Sequence, residues 1–140
     1  MTAYTQFTPA EQNRLANLEK RYRTRAKEVF CARAAYWVQF TGGNYTSITV
    51  RDQKTRWGSC SSRGTLSFNY RLIFAPLPIL DYVVVHELCH LCHMDHSKAF
   101  WAAVASVMPD YKQRRQWLKD HGQELNLVTY LEEHDIPVKL

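Results

Sequence analysis

Apolar residues recur at two different periods along this 140-residue chain, and the changes of period divide it into three parts. From residue 8 to about residue 40 the spacing is helical. Leu15, Leu18, Tyr22, Val29 and Phe30 fall close to a helical repeat, continued loosely by Tyr36 and Trp37. Thr8-Pro9-Ala10-Glu11 has the form of a capping box with proline at the first helical position, and Gly42-Gly43 closes the run. Between residues 46 and 70 the period drops to two. Ser47 to Asp52 alternates polar and apolar residues, and a second short strand is expected at Arg56-Trp57-Gly58. Ser59 to Gly64 is turn chemistry, and Thr65 to Tyr70 reads as a third strand with Leu66 and Phe68 on one face, Ser67 and Asn69 on the other. The expectation is a small antiparallel sheet.

From residue 79 to 134 the helical period returns. Pro76 and Pro78 fit just ahead of a helix from Tyr82 to His93, with Asp81 near its start, where a carboxylate complements the helix dipole. Ser97 caps a second helix, Lys98 to Met108, which Pro109-Asp110 ends. Tyr111 to His121 is a third, with Gly122 placed to stop it, and Leu125 to Glu133 a fourth. The fold class predicted is α+β, a small sheet packed on helices within one domain spanning residues 1–140.

The helix from Tyr82 to His93 carries the chemistry. Its Val84, Val85, Leu88, Leu91 and Cys92 form an apolar arc, with His86, His90 and His93 on the opposite side. His86, Glu87 and His90 make H-E-x-x-H, so two imidazoles one turn apart can face one metal ion while Glu87 reaches past it to a bound water. His96, six residues on, is the third candidate ligand, brought back by a bend near Met94-Asp95. His93 would lie about 10 Å along a straight helix axis from His86, too far to share an ion with it. Three protein ligands leave the fourth position of zinc open, as hydrolytic sites require. One zinc ion per chain is expected, with Glu87 as base. A surface helix incidentally rich in histidine is the competing reading.

Composition narrows the setting. Hydrophobic residues at 46% and charged residues at 22% describe a globular chain, and no run reaches the length of a membrane span. The first residues lack the basic start and apolar core of a signal peptide, so no membrane partner and a cytoplasmic location are expected. Four cysteines in that setting do not suggest disulfides; Cys92 is expected in the core and Cys89 beside the site. The net charge of +5 is concentrated near the N-terminus at Lys20, Arg21, Arg23, Arg25, Lys27 and Arg33. That segment reads either as a solvated helix face or as a surface for nucleic acid. Trp57, Phe68, Phe100 and Trp101 are expected in the core around the metal helix, an aromatic substrate pocket being the alternative.

Four motifs in order, K-T-R-W-G-S-C-S-S (54–62), N-Y-R-L-I-F-A-P (69–76), D-Y-V-V-V-H-E-L-C-H-L (81–91) and H-S-K-A-F-W (96–101), resemble the YgjP-like metallopeptidase family over about residues 20 to 122. The family is similar to the SprT and WLM metalloproteases. The resemblance implies a zincin-like core with His86, His90 and His96 on the metal and Glu87 as base. Three functions stay open: a zinc peptidase acting on peptide or protein, a metal-dependent hydrolase of nucleotide phosphoanhydrides, and a protease recruited to DNA by its basic helix. The oxyanion stabiliser is unassigned among Tyr111, Arg114, Asn69 and Arg71. Oligomeric state is not legible.

Overall fold

The computed structural model describes residues 4–138. The first helix, α1 (Pro9–Thr41), is capped as expected: the Thr8 side chain accepts from the Glu11 amide, and the Glu11 carboxylate accepts from the Thr8 amide. It runs 33 residues and ends at Gly42. The basic residues along it do not form one open surface. Arg23 lies over the Tyr70 ring, Arg25 pairs with Glu28, Lys27 donates to the Ile48 carbonyl and Arg33 binds Asp81.

Three strands follow, β1 (Ser47–Arg51), β2 (Gly58–Cys60) and β3 (Thr65–Asn69). The sheet is mixed, which corrects the antiparallel expectation. β3 occupies the centre, antiparallel to β2 and parallel to β1. The reason lies in residues 52–57, which carry the chain across to the far side of β3. Asn69 pins that crossing: its Nδ2 donates to the carbonyls of Gln53 (2.6 Å) and Arg56 (3.0 Å), and its backbone N–H donates to Trp57 (2.8 Å). β2 also starts two residues later than expected. The turn needs only residues 61–64, with the Ser61 hydroxyl accepting from the Thr65 amide, so Ser59 and Cys60 are free to join the ladder.

A 3-10 turn (Tyr70–Phe74) leads into α2 (Leu77–Cys89), which begins five residues before the expected start. Pro78 therefore sits inside the first turn, where its missing N–H leaves no bond unmade. Asp81 is one turn into α2 and buried, not at the helix start. It receives two bonds from the Arg33 guanidinium, at 2.7 and 2.8 Å, which tie α2 to α1. Without Arg33 the carboxylate would be left unpaired at a cost of about 3 kcal/mol.

α2 is also not the two-faced helix expected. From Ile79 to Cys89 every residue but His86 is buried, because α1, β2, the 3-10 turn and the next two helices surround it. Those two are α3 (Lys98–Val107), capped by the Ser97 hydroxyl, and α4 (Tyr111–His121). Phe68, stacked on Phe30 at 4.5 Å, and Phe100 lie in this core. A second, smaller cluster joins the two ends of the chain: Leu15 of α1 packs with Leu127 and Leu131 of α5 (Leu127–Glu133). Among the described residues no helix is long and apolar enough to cross a membrane.

Candidate metal centre

The imidazoles of His86 and His90 come from the last turn of α2 and its cap. The helix stops at Cys89, four residues before the expected end, because its final turn tightens. His90, Leu91 and Cys92 each donate to the carbonyl three residues back. The chain then reverses through 93–97 and presents His96 to the other two histidines. No residue in this turn takes a left-handed conformation; the only non-glycine that does so among the described residues is Asp135. His93 therefore needs no glycine-like freedom, and it serves through its backbone.

Three nitrogens converge. His96 Nε2 lies 3.2 Å from His90 Nε2 and 3.3 Å from His86 Nε2. Nitrogens bonded at about 2.0–2.1 Å to a tetrahedral zinc ion would be about 3.3–3.4 Å apart. The donor set thus fits such an ion, and the three residues form a cluster able to hold a metal. The rings are oriented from behind. His90 Nδ1 lies 2.8 Å from the His93 carbonyl, which can only accept, so Nδ1 carries the proton and Nε2 offers its lone pair. His86 Nδ1 faces the Tyr82 hydroxyl at 3.3 Å. Phe100 lies flat against His90, and Trp101 against His96.

Glu87 lies beside this cluster with only 5% of its surface exposed. A side chain on Gly58 would meet Glu87 Oε2 at 3.0 Å and Val83 at 3.1 Å, so the missing Cβ makes room for the carboxylate. Burial raises the Glu87 pKa from 4.5 to about 8. Burial also lowers the His86 pKa from 6.5 to about 3, helped by the charges of His90, His96 and Arg115, and lowers that of His90. Both imidazoles are therefore neutral, as metal ligands must be. A carboxyl pKa raised by folding contributes stability at low pH that is lost as pH rises through the folded value. The two histidines act in the opposite sense, below their ordinary value of 6.5. Metal-free protein is thus expected to lose thermal stability from about pH 6.5 to 8, and Glu87→Gln to flatten that decline in melting scans. An equal decline in the variant would assign it to another group.

A cavity of about 690 Å³ opens in front of His86 and Glu87. Its wall includes Arg56, Trp57, Gly58 and Tyr82, with Lys112, Arg115 and Lys119 from one face of α4. Trp57 and Trp101 are only half-buried. Both pack against the core around the metal helix, at its margin: Trp57 also lines the cavity, and Trp101 packs beside His96. Gly122 fits α4 closely to Trp57: a Cβ there would meet the indole at 2.7 Å. Its φ of −57° is ordinary helix, so this contact, not a left-handed stop, gives Gly122 its place.

The cysteines exchange places. Cys89 is buried in the core because neighbouring elements cover α2 all round, and Cys92 is exposed because the projection to His93 fails once the helix has ended. The four candidate oxyanion donors stand apart from the cavity wall, and sequence reasoning missed Arg115 and Tyr82, which line it. Two signals were present: Tyr82 lies one turn before His86, and Lys112, Arg115 and Lys119 share a helical face.

Residues 1–121 match the family described as YgjP-like, metallopeptidase domain. The chain belongs to this family. Among solved structures, the YgjP-like chain is similar to the metallopeptidase zymogen abylysin of Pyrococcus abyssi. The TM-score is 0.58 at 20% identity, covering 65% of this chain and 93% of that one, which is a likeness of fold. A protein of Escherichia coli (strain K12) named UTP pyrophosphatase is 44% identical over 48 residues. That match spans 31% of this chain and 29% of the relative. A helix bearing H-E-x-x-H beside a small mixed sheet, with a third histidine closing the cluster, gives the YgjP-like chain the architecture of a zincin-type metallopeptidase.

Proposed function

We propose that the chain hydrolyses peptide bonds with one zinc ion held by His86, His90 and His96, Glu87 acting as general base. The convergence of three imidazole nitrogens beside a buried carboxylate carries this reading. A zinc ion there would lower the pKa of a water molecule and polarise the scissile carbonyl. Glu87 takes a proton from the attacking water and returns it to the leaving amine. β2 pairs only with β3 among the described residues, and Gly58 at its start touches Glu87. An extended peptide adding to that edge would pass the carboxylate.

One observation favours a second reading, hydrolysis of a nucleotide phosphoanhydride. The cavity is lined by four cations, Arg56, Lys112, Arg115 and Lys119, and by no carboxylate other than Glu87. The name of the E. coli relative accords with this. Recruitment to DNA gains no such support, since five of the seven basic residues on α1 have partners within the fold.

Zinc-loaded protein assayed side by side on an unstructured protein and on nucleoside triphosphates separates the readings. New peptide termini, read by mass spectrometry, support the first. Phosphate or pyrophosphate release without them moves the substrate to the second. Neither product from protein of full zinc content would overturn both.

A further inference from the structure

We propose that Arg115 is the residue that meets the negative charge developing on the scissile group. This rests on the hydrolytic reading above and holds for a carbonyl or a phosphoryl centre alike. Attack by water on either places charge on an oxygen outside the breaking bond. Stabilising that oxygen requires a donor fixed in place before the reaction.

The donors suggested by the sequence are engaged elsewhere. Asn69 holds the strand crossing, Arg71 binds Asp52 at 2.9 Å, and Arg114 binds Asp110 and the Pro78 carbonyl. Tyr111 also packs on Trp101 but is not among the residues that line the cavity. Among the cavity cations Arg115 alone is tied to the histidine cluster. Its guanidinium carbon sits 5.0 Å from the centre of the Trp101 ring, and that ring lies 5.7 Å from His86 and 5.9 Å from His96.

A guanidinium seated over an indole is held by its face and keeps its N–H edge available. Arg115 has no carboxylate partner among the described residues, so nothing competes for that edge. Arg56, Lys112 and Lys119 lack an equivalent seat. They add positive potential to the cavity but no fixed donor. Trp101 follows Phe100 in the first turn of α3, so one turn orients the His90 ring, the His96 ring and the Arg115 guanidinium together.

The test compares zinc-loaded wild type with Arg115→Gln, Arg115→Lys and, as a charge-matched control on an exposed face, Arg25→Gln. Calorimetry with inorganic phosphate, a tetrahedral oxyanion, is the first measurement. Phosphate affinity should fall at least about tenfold in Arg115→Gln and stay within about twofold in the control. Turnover is the second: kcat should fall about 10²–10³-fold in Arg115→Gln with KM little changed, and Arg115→Lys should recover part of it. Zinc content and melting temperature should match wild type throughout.

Unchanged phosphate affinity would overturn the proposal. So would a raised KM with normal kcat, which describes a ground-state contact, or loss of zinc in the Arg115 variants, which describes a structural one. The phosphate measurement needs no turnover. An inactive wild type therefore defeats the hydrolytic reading, whereas unchanged phosphate affinity defeats the role of Arg115.

Discussion

Glu87→Gln is expected to cut hydrolysis about 10²–10⁴-fold while leaving zinc content and fold intact. Its carboxylate is buried beside the three imidazoles but is not one of the three converging donors. Metal affinity should therefore survive its loss. Glutamine occupies nearly the same volume, so the tight fit against Gly58 and Val83 remains satisfied. What disappears is the ability to take a proton from water. The variant needs no knowledge of the substrate, because peptide and phosphoanhydride hydrolysis both require that step. Elemental analysis and melting scans establish the intact site, and initial rates on whichever substrate wild type turns over establish the loss. Retained activity would mean another group acts as base. Loss of zinc would make Glu87 a ligand or a support for one.

The site and the sheet differ in how far the sequence disclosed them. His86, Glu87, His90 and His96 lie within eleven residues, and helical spacing alone relates the first three, so their grouping is a local matter. The capping box at Thr8 to Glu11 is equally local, and the start of α1 follows from it. The strand order is not local. Whether β3 pairs with β1, β2 or both depends on where residues 52–57 cross, and that is decided by Asn69, a residue whose polarity suggested an outward face. Cys89 was misplaced because the neighbours of α2 cover the side on which it lies, and Cys92 because the helix ends. A helical projection holds only while the helix lasts, and the tightened last turn ends α2 before Cys92. Arg115 lies 19 to 29 residues from the histidines, and only the packing of α4 against α2 brings it to them.

His96→Ala is expected to lower zinc affinity by orders of magnitude, and His93→Ala to leave a three-histidine site of reduced quality. The two residues flank the same turn, so the comparison separates ligation from turn formation. His96 places its Nε2 within 3.3 Å of both other imidazoles, and with it gone only two nitrogens converge. Two neutral donors hold zinc far less well than three, and the remaining positions would fall to water. His93 contributes its carbonyl, which fixes the proton on His90 Nδ1 at 2.8 Å. Alanine retains that carbonyl, so the affinity change in His93→Ala should stay within about the 10–100-fold range of an outer contact. Competition titrations against a chelator of known zinc affinity give both constants, and circular dichroism checks that the turn persists. Equal losses in the two variants would mean that the turn, and not the His96 imidazole, sets the affinity. A larger loss in His93→Ala would exclude His96 as the third ligand.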